Sequence, residues 1–419
     1  MRIRLIIALL ISAMLAASAP FAQEKKHKRE KFGSSLKRLK WDDKKQAAIE
    51  SRKRGEKSNA APADEDAIKL ETLYVALDVT VTDRATSRFI TGLTKDDFIL
   101  SEDGQPQQIA ACMPGDDATK PRSIVLILDY SGSQSAYLDA SIDAATMLIH
   151  QLAPADEMAI ATDDVEMLID FTRDKARLAA ALAAFRKQAH KKRNGLRQNS
   201  RSLQFTALFA ALREMIQSEG AQPIIIFQTD GDEAATFRDQ DSTGAWREAY
   251  DRQYGAVREY GLNDILLAAR KSRAVIYSVI PGERLAGLPP EKLYERGRQM
   301  LEKMQRARYE TEKIAQLYSD IPESQVRLFT DRFARGQAAA MQVAEMTGGW
   351  AAYLERPEQA ADIYRQILAD INHRYTIGYY PTNTERDGRL RQIRIAVRGH
   401  PEYVVHGRAS YYAPGQQKE

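Results

Sequence analysis

Residues Ser123–Ser135 read SIVLILDYSGSQS. Five apolar residues, Ile124 to Leu128, run into Asp129, and Ser131 and Ser133 follow at alternate positions. An uninterrupted apolar run bounded by turn residues is the pattern of a strand buried on both faces, as in a parallel sheet. Downstream come a helical stretch AYLDASIDAATMLIHQL, strands DEMAIAT and VEMLIDF, and helix KARLAAALAAFRKQ. A basic loop, helix TALFAALREMI, strand PIIIF, helix LNDILLAARKS and strand AVIYSVI complete the series. Strands alternating with helices predict an α/β fold, a doubly wound and mostly parallel sheet with helices on both faces, over residues 120–372. The charged stretch PEKLYERGRQMLEKMQRARYETEKIAQL places a helical insertion at about 285–330.

The flanks have a different pattern. LYVALDVTVTD, from Leu73, alternates apolar and polar residues, which marks a half-buried strand. Asp103-Gly104 then reads as a hairpin turn. Residues 69–116 are therefore an N-terminal β-segment, too short for a core of its own. RYTIGYY, RQIRIAV and YVVHGRASYY form C-terminal strands over 373–413. The two segments are expected to pair into one small antiparallel β-domain. The tyrosines Tyr375, Tyr379, Tyr380, Tyr403, Tyr411 and Tyr412 fit strand packing, with a carbohydrate or peptide surface as the alternative.

A length of 419 residues exceeds one ordinary core, and the 44% hydrophobic content makes most of the chain globular. Arg2 and Arg4, an apolar run Leu5–Leu15 and the small residues Ala16–Ala19 lay out a secretory signal peptide over 1–22. The expected location is thus exported: periplasmic, cell-surface or secreted. Residues 23–57 hold fourteen Lys or Arg against six Asp or Glu. Residues 23–68 read as a basic, flexible linker, with an anionic envelope surface as a candidate contact and no specific nucleic acid expected. The single cysteine, Cys112, excludes an internal disulfide and a cysteine zinc site.

Ligands of open parallel sheets sit beyond the carboxyl ends of the strands. Two strands end in a carboxylate at that rim, one at Asp129 and the other, through Gln228 and Thr229, at Asp230. At about 5 Å apart and an effective dielectric near 20, two such charges repel by roughly 3 kcal/mol. Something positive or protic must offset this. Ser131, Ser133 and Thr206 add hydroxyls, although Thr206 could instead cap its helix. The set makes an all-oxygen shell suited to Mg²⁺, with Mn²⁺ or Ca²⁺ as alternatives, and it contains no zinc-type ligand.

These residues resemble the metal-ion-dependent adhesion site of von Willebrand factor type A domains. Asp129, Ser131 and Ser133 match the Asp-x-Ser-x-Ser loop, Thr206 the threonine loop and Asp230 the third-loop aspartate. The flanks LDVTVTDRATSRFITGLTKDDFILSEDGQPQQI, INHRYTIGYYP and GRASYYAP look like those of exported bacterial proteins called VWFA-related, of the acidobacterial type. The resemblance covers roughly 70–414. It implies a Rossmann-like type A fold and a cation held directly by the serine hydroxyls. The aspartates would act largely through water, and the open position would accept Asp or Glu from a partner protein. Two departures stand out: Gln204-Phe205 replaces the usual glycine pair, and the preceding loop, KKRNGLRQNSR, is basic.

The implied function is an exported, metal-dependent protein-binding module without catalytic residues. An envelope scaffold with an incidental or empty metal site is the alternative, and a Mg-dependent hydrolase is a further one. The hydrolase reading requires a positioned base. His150 lies near a helix end about 20 Å from the rim at 1.5 Å per residue, and His190 borders the basic loop. No Gly-x-Ser-x-Gly, His-Glu-x-x-His, phosphate-loop or dinucleotide signature is present. Asp232 and Glu233, beside the third loop, either tune the metal or are solvated.

Overall fold

Arg122–Leu128 is a strand with all seven residues buried, and the architecture is arranged around it. The computed structural model describes residues 31–42, 47–50, 73–115, 121–194, 202–216, 221–233, 236–237, 260–308 and 321–415. The expected signal peptide lies outside them. In chain order the strands are β1 (Leu39–Asp42), β2 (Ala47–Glu50), β3 (Val75–Asp83), β4 (Phe98–Glu102), β5 (Gln105–Gln107), β6 (Ile109–Met113), β7 (Arg122–Leu128) and β8 (Glu157–Thr162). They continue as β9 (Met167–Thr172), β10 (Gln222–Gln228), β11 (Val275–Pro281), β12 (Ala351–Leu354), β13 (Tyr375–Tyr379), β14 (Leu390–Val397), β15 (Tyr403–Gly407) and β16 (Ser410–Tyr412). The helices are α1 (Leu138–Gln151), α2 (Lys175–Asn194), α3 (Gln204–Glu214), α4 (Leu262–Lys271), α5 (Pro290–Arg308), α6 (Glu323–Met346) and α7 (Ala360–Asn372).

A six-stranded sheet in the order β12-β11-β10-β7-β8-β9 is parallel except for β9, which runs antiparallel to β8. This is the mixed α/β class expected from the alternation of strands and helices. Ile124, Leu126 and Leu128 of β7 enter one core with Ile142 and Leu148 of α1, Leu182 of α2 and Ile367 of α7. Val125 and Ile127 enter the opposite core with Phe205 and Leu208 of α3, Ile265 of α4 and Ala340 of α6. Because both faces of the strand are covered, its sequence shows no alternation. Each such side chain contributes about 1.5–3 kcal/mol by burial.

Two four-stranded sheets, ordered β15-β3-β13-β6 and β16-β14-β4-β5, make up the rest. β3 pairs antiparallel with both β13 and β15, and β4 pairs with β14, so the sandwich combines strands from the two ends of the chain. Val79, Val81, Phe98, Ile377 and Val397 pack between the sheets. Asp103 (φ 48°) and Gly104 (φ 82°) turn the β4-β5 hairpin in the left-handed pair that such a two-residue loop requires. Tyr379 and Tyr411 both donate hydroxyls to Glu102, and Tyr375 donates to the Ile90 carbonyl, so these tyrosines belong to the sandwich interior.

Two boundaries differ from the sequence reading. The insertion does not close near residue 330: α6 is one helix from Glu323 to Met346, and its buried stripe runs from Val326 through Phe333 to Val343. Its second half, with Ala339, Ala340 and Val343, packs on the sheet, while its first half meets α5 through the hydrogen bond of Tyr294 to Asp331 and through Gly297 beside Thr330. Part of the expected flexible linker is also docked. The Gly33 and Ser35 amides donate to Glu214 of α3 at 2.8 and 2.9 Å, and Leu39 is buried in the second core. Phe32 and Leu36 pack there as well, contacts that a charge count does not register.

Arg374 joins the α/β sheet to the sandwich. Its guanidinium donates to the Asp78 carbonyl of β3 at 3.1 Å, the Gly348 carbonyl at 2.8 Å and the Asp370 carboxylate at 2.6 Å. The Tyr277 hydroxyl of β11 donates to the same Asp370 oxygen. Removing one partner of a buried ion pair leaves an uncompensated charge. Asp370→Ala is therefore expected to lower unfolding free energy by about 3–5 kcal/mol, read from urea denaturation.

Candidate metal centre

β7 and β10 are neighbours in register, with Phe227 opposite Ile127. Their carboxyl ends therefore bring Asp129 and Asp230, both buried, to one place on the rim. Past β7 the chain turns tightly. The Ser131 amide donates to Asp129 Oδ1 at 2.9 Å, an Asx-type turn that fixes the carboxylate against the loop. The Ser131 and Ser133 hydroxyls lie 3.1 Å apart, and Ser133 Oγ donates to Asp230 Oδ2 at 2.6 Å. Gln134 Nε2 reaches the same oxygen at 2.7 Å. Four of the five expected residues, Asp129, Ser131, Ser133 and Asp230, thus lie in one chain of hydrogen bonds.

Thr206 is oriented differently. α3 starts at Gln204, so Thr206 sits in its first turn rather than at its cap. Its hydroxyl donates to Glu233 Oε1 at 2.5 Å and accepts from the Tyr260 hydroxyl at 2.9 Å. Glu233 Oε2 takes the amides of Phe205 and Thr206 at 2.5 and 3.2 Å. A carboxylate from the third loop therefore satisfies the free amides at the start of α3, where the helix dipole favours negative charge. Asp232 is held in turn by Arg332 of α6, at 2.7 and 3.0 Å. Neither residue is a solvated loop acid.

Gln204 contributes most that the motif does not predict. Its buried amide nitrogen lies 2.7 Å from Asp129 Oδ2, 2.7 Å from Asp230 Oδ1 and 2.7 Å from Ser202 Oγ. Its carbonyl oxygen accepts from the Thr229 hydroxyl and from the Gly231 amide at 2.8 Å. The carboxamide therefore lies between the two aspartates and bonds both. Gly231 must be glycine: its φ is +80°, and an added Cβ would come within 2.3 Å of the Gly336 backbone on α6.

Burial, with the charges of Asp163 and Asp230, pushes the Asp129 carboxyl well above the usual carboxylate range. Asp163 follows β8, the next strand along, and is pushed up to about 7 chiefly by burial, against the Tyr130 amide that stabilises its charged form. Burial also raises Asp232 to about 6, while Arg332 opposes the shift. Asp163 carries the same signal as the first two aspartates, since Thr162-Asp163 ends the strand DEMAIAT, and the sequence reading passed over it. Neither histidine considered from the sequence bonds a carboxylate of the site: His150 is exposed in the last turn of α1, and His190 pairs on the surface with Asp139 in the first turn of that helix.

By donor type the hydroxyl and carboxylate oxygens fit a hard divalent cation. Among the described residues no three His, Cys, Asp or Glu side chains form a metal cluster, and the place between the carboxylates holds the Gln204 amide. Gln134 Oε1, also buried, has no hydrogen-bond partner among the described residues.

No family model matches the chain, and no curated protein matches it. Among solved structures it is similar to the conserved hypothetical protein BatB of Bacteroides thetaiotaomicron, at 14% identity over 60% of this chain and 97% of that one, with a TM-score of 0.35. An aerotolerance-related membrane protein from Bacteroides fragilis gives 15% identity over 60% and 98%, TM-score 0.34. The vWF domain of the type V pili tip protein Mfa5 from Porphyromonas gingivalis gives 14% over 61% and 96%, TM-score 0.33. Likenesses of this size carry no argument about what the chain binds.

Asp163 has a consequence for stability. The native carboxyl keeps its proton to about pH 7, whereas the ordinary value is 3.8, so the unfolded chain binds fewer protons between these limits. Stability in cation-free buffer is expected to fall as pH rises from 5 to 8, and Asp163→Asn to flatten that slope, as read from denaturation midpoints in EDTA.

Proposed function

We propose that this chain is an exported protein-interaction module of the von Willebrand factor type A kind, engaging an acidic side chain of a partner at the rim of its parallel sheet. The observation that supports it best is the convergence of Asp129, Ser131, Ser133 and Asp230 through short hydrogen bonds at the ends of neighbouring strands. In this reading the two serines supply neutral oxygens and the two aspartates supply charge for a divalent cation, Mg²⁺ with Mn²⁺ or Ca²⁺ as substitutes. Such a cation provides an electrophilic position for a partner's Asp or Glu. Thr206, fifth in the motif, holds the start of α3 to Glu233.

Export rests on the signal-like leader, and the basic residues of segment 23–57, apart from the docked stretch around Phe32 to Leu39, are assigned to an anionic envelope surface. Among the described residues no helix is long and apolar enough to cross a membrane. The Gln204 amide supports a second reading, a structural scaffold whose rim is closed internally.

Titration calorimetry of the full chain with Mg²⁺ and Mn²⁺ tests the cation: binding is expected in the wild type and lost in Asp129→Ala. Pull-downs from the native envelope with and without EDTA test the partner. Different retained sets are expected, and identical sets would leave the scaffold reading.

A further inference from the structure

We infer that Gln204 is an internal latch on this site: its carboxamide takes the place between Asp129 and Asp230, and a divalent cation enters only by displacing it. The inference rests on the cation-binding reading and adds the regulation of that site.

Three observations carry it. First, the amide is fully committed. Its nitrogen donates to one oxygen of each aspartate, and its oxygen accepts from Thr229 and Gly231. A glutamine amide has two N–H donors and an acceptor oxygen with two lone pairs; here the nitrogen faces three acceptors, the two aspartates and Ser202 Oγ, and the oxygen accepts twice, so no capacity is left over. The carboxylates on one side and the hydroxyl and amide donors on the other allow only one orientation. Second, the hydrogen bonds connect the loops of the motif. Asp129 belongs to the first, Ser202 and Gln204 to the second, and Asp230 and Gly231 to the third. One side chain therefore keeps the two carboxylates apart and the loops together, which a bound cation would otherwise do. Third, the surrounding set is not closed on itself. Gln134 donates to Asp230 Oδ2, but its own buried oxygen has no partner among the described residues. A buried acceptor without a donor is costly, and this one lies on a residue already bonded to the candidate ligand Asp230.

The chemistry also explains the sequence departure at this position. Glycine in place of Gln204 leaves the carboxylates facing each other across open space and in need of a cation. A glutamine supplies neutral N–H donors to both, which lessens that need without removing the charge. The protein can therefore hold its rim in the folded arrangement before any cation arrives.

Gln204→Gly and Gln204→Ala test the latch, with Mn²⁺ and Mg²⁺ as probes on the full chain. By calorimetry both variants are expected to bind Mn²⁺ at least ten-fold tighter than the wild type. By thermal unfolding their Tm in EDTA is expected to fall and to recover with Mn²⁺ more than the wild-type Tm rises. Using two variants covers the case in which one fails to fold, which circular dichroism reports. If the wild type binds Mn²⁺ and both variants bind it no more tightly, the latch is overturned and the cation site stands. If neither the wild type nor a folded variant binds, the cation reading falls and the latch falls with it.

Discussion

Two carboxyl groups buried at the ends of adjacent strands are the constraint around which this rim is built. Parallel pairing of β7 with β10 puts Asp129 and Asp230 side by side, with water largely excluded. Without compensation, a pair like this would separate the strand ends or protonate. The protein answers with donors from every direction: the Ser131 amide, the Ser133 hydroxyl and the carboxamides of Gln134 and Gln204. The elevated proton affinity of Asp129 is the part that these donors leave uncompensated.

The third loop is braced from three sides. Glu233 ties it to the start of α3, Asp232 is paired with Arg332 on α6, and Gly231 presses its backbone against Gly336 of the same helix. α6, which follows the charged segment of the sequence, thus reaches the rim directly. The sandwich is joined to the opposite part of the α/β layer through Arg374 and Asp370.

Much of this was legible from periodicity. The apolar runs of β7, β10 and β11 declare a doubly covered sheet; the alternation in β3 declares a strand, but not a half-buried one, since Asp78 and Thr80 on its polar face are buried as well. Asp103-Gly104 marks the β4-β5 turn because few residue pairs tolerate two consecutive positive φ angles. The strand-end rule brought Asp129 and Asp230 together, and the spacing of Ser131 and Ser133 placed them in the same bonds. The use made of Thr206 was not legible, because its orientation depends on Glu233 and Tyr260, distant in sequence. Gln204 stood out only as a departure from a pattern, since what a carboxamide bonds depends on which loops fold over it. The extent of α6 was hidden because its buried stripe mixes Phe333 and Val343 with Gly336, Ala339 and Ala340 among charges, a weak signal beside an ordinary leucine-rich face.

The sandwich is assembled from opposite ends of the chain, and this governs the order of events in folding. Within its sheet β3 lies between β13 and β15, strands separated from it in the chain by the whole α/β layer, besides a local bridge of Thr82 to Phe89. In a chain emerging N-terminus first, β3 lacks both of its sheet neighbours until the last strands have been made, and an open strand edge is a template for another chain. The far-apart contacts that close the sandwich come late, because loop closure must precede them. The C-terminal strands therefore act as the stopper of the molecule: until they arrive, the first β-segment is exposed, and pulling on that end would uncover it again.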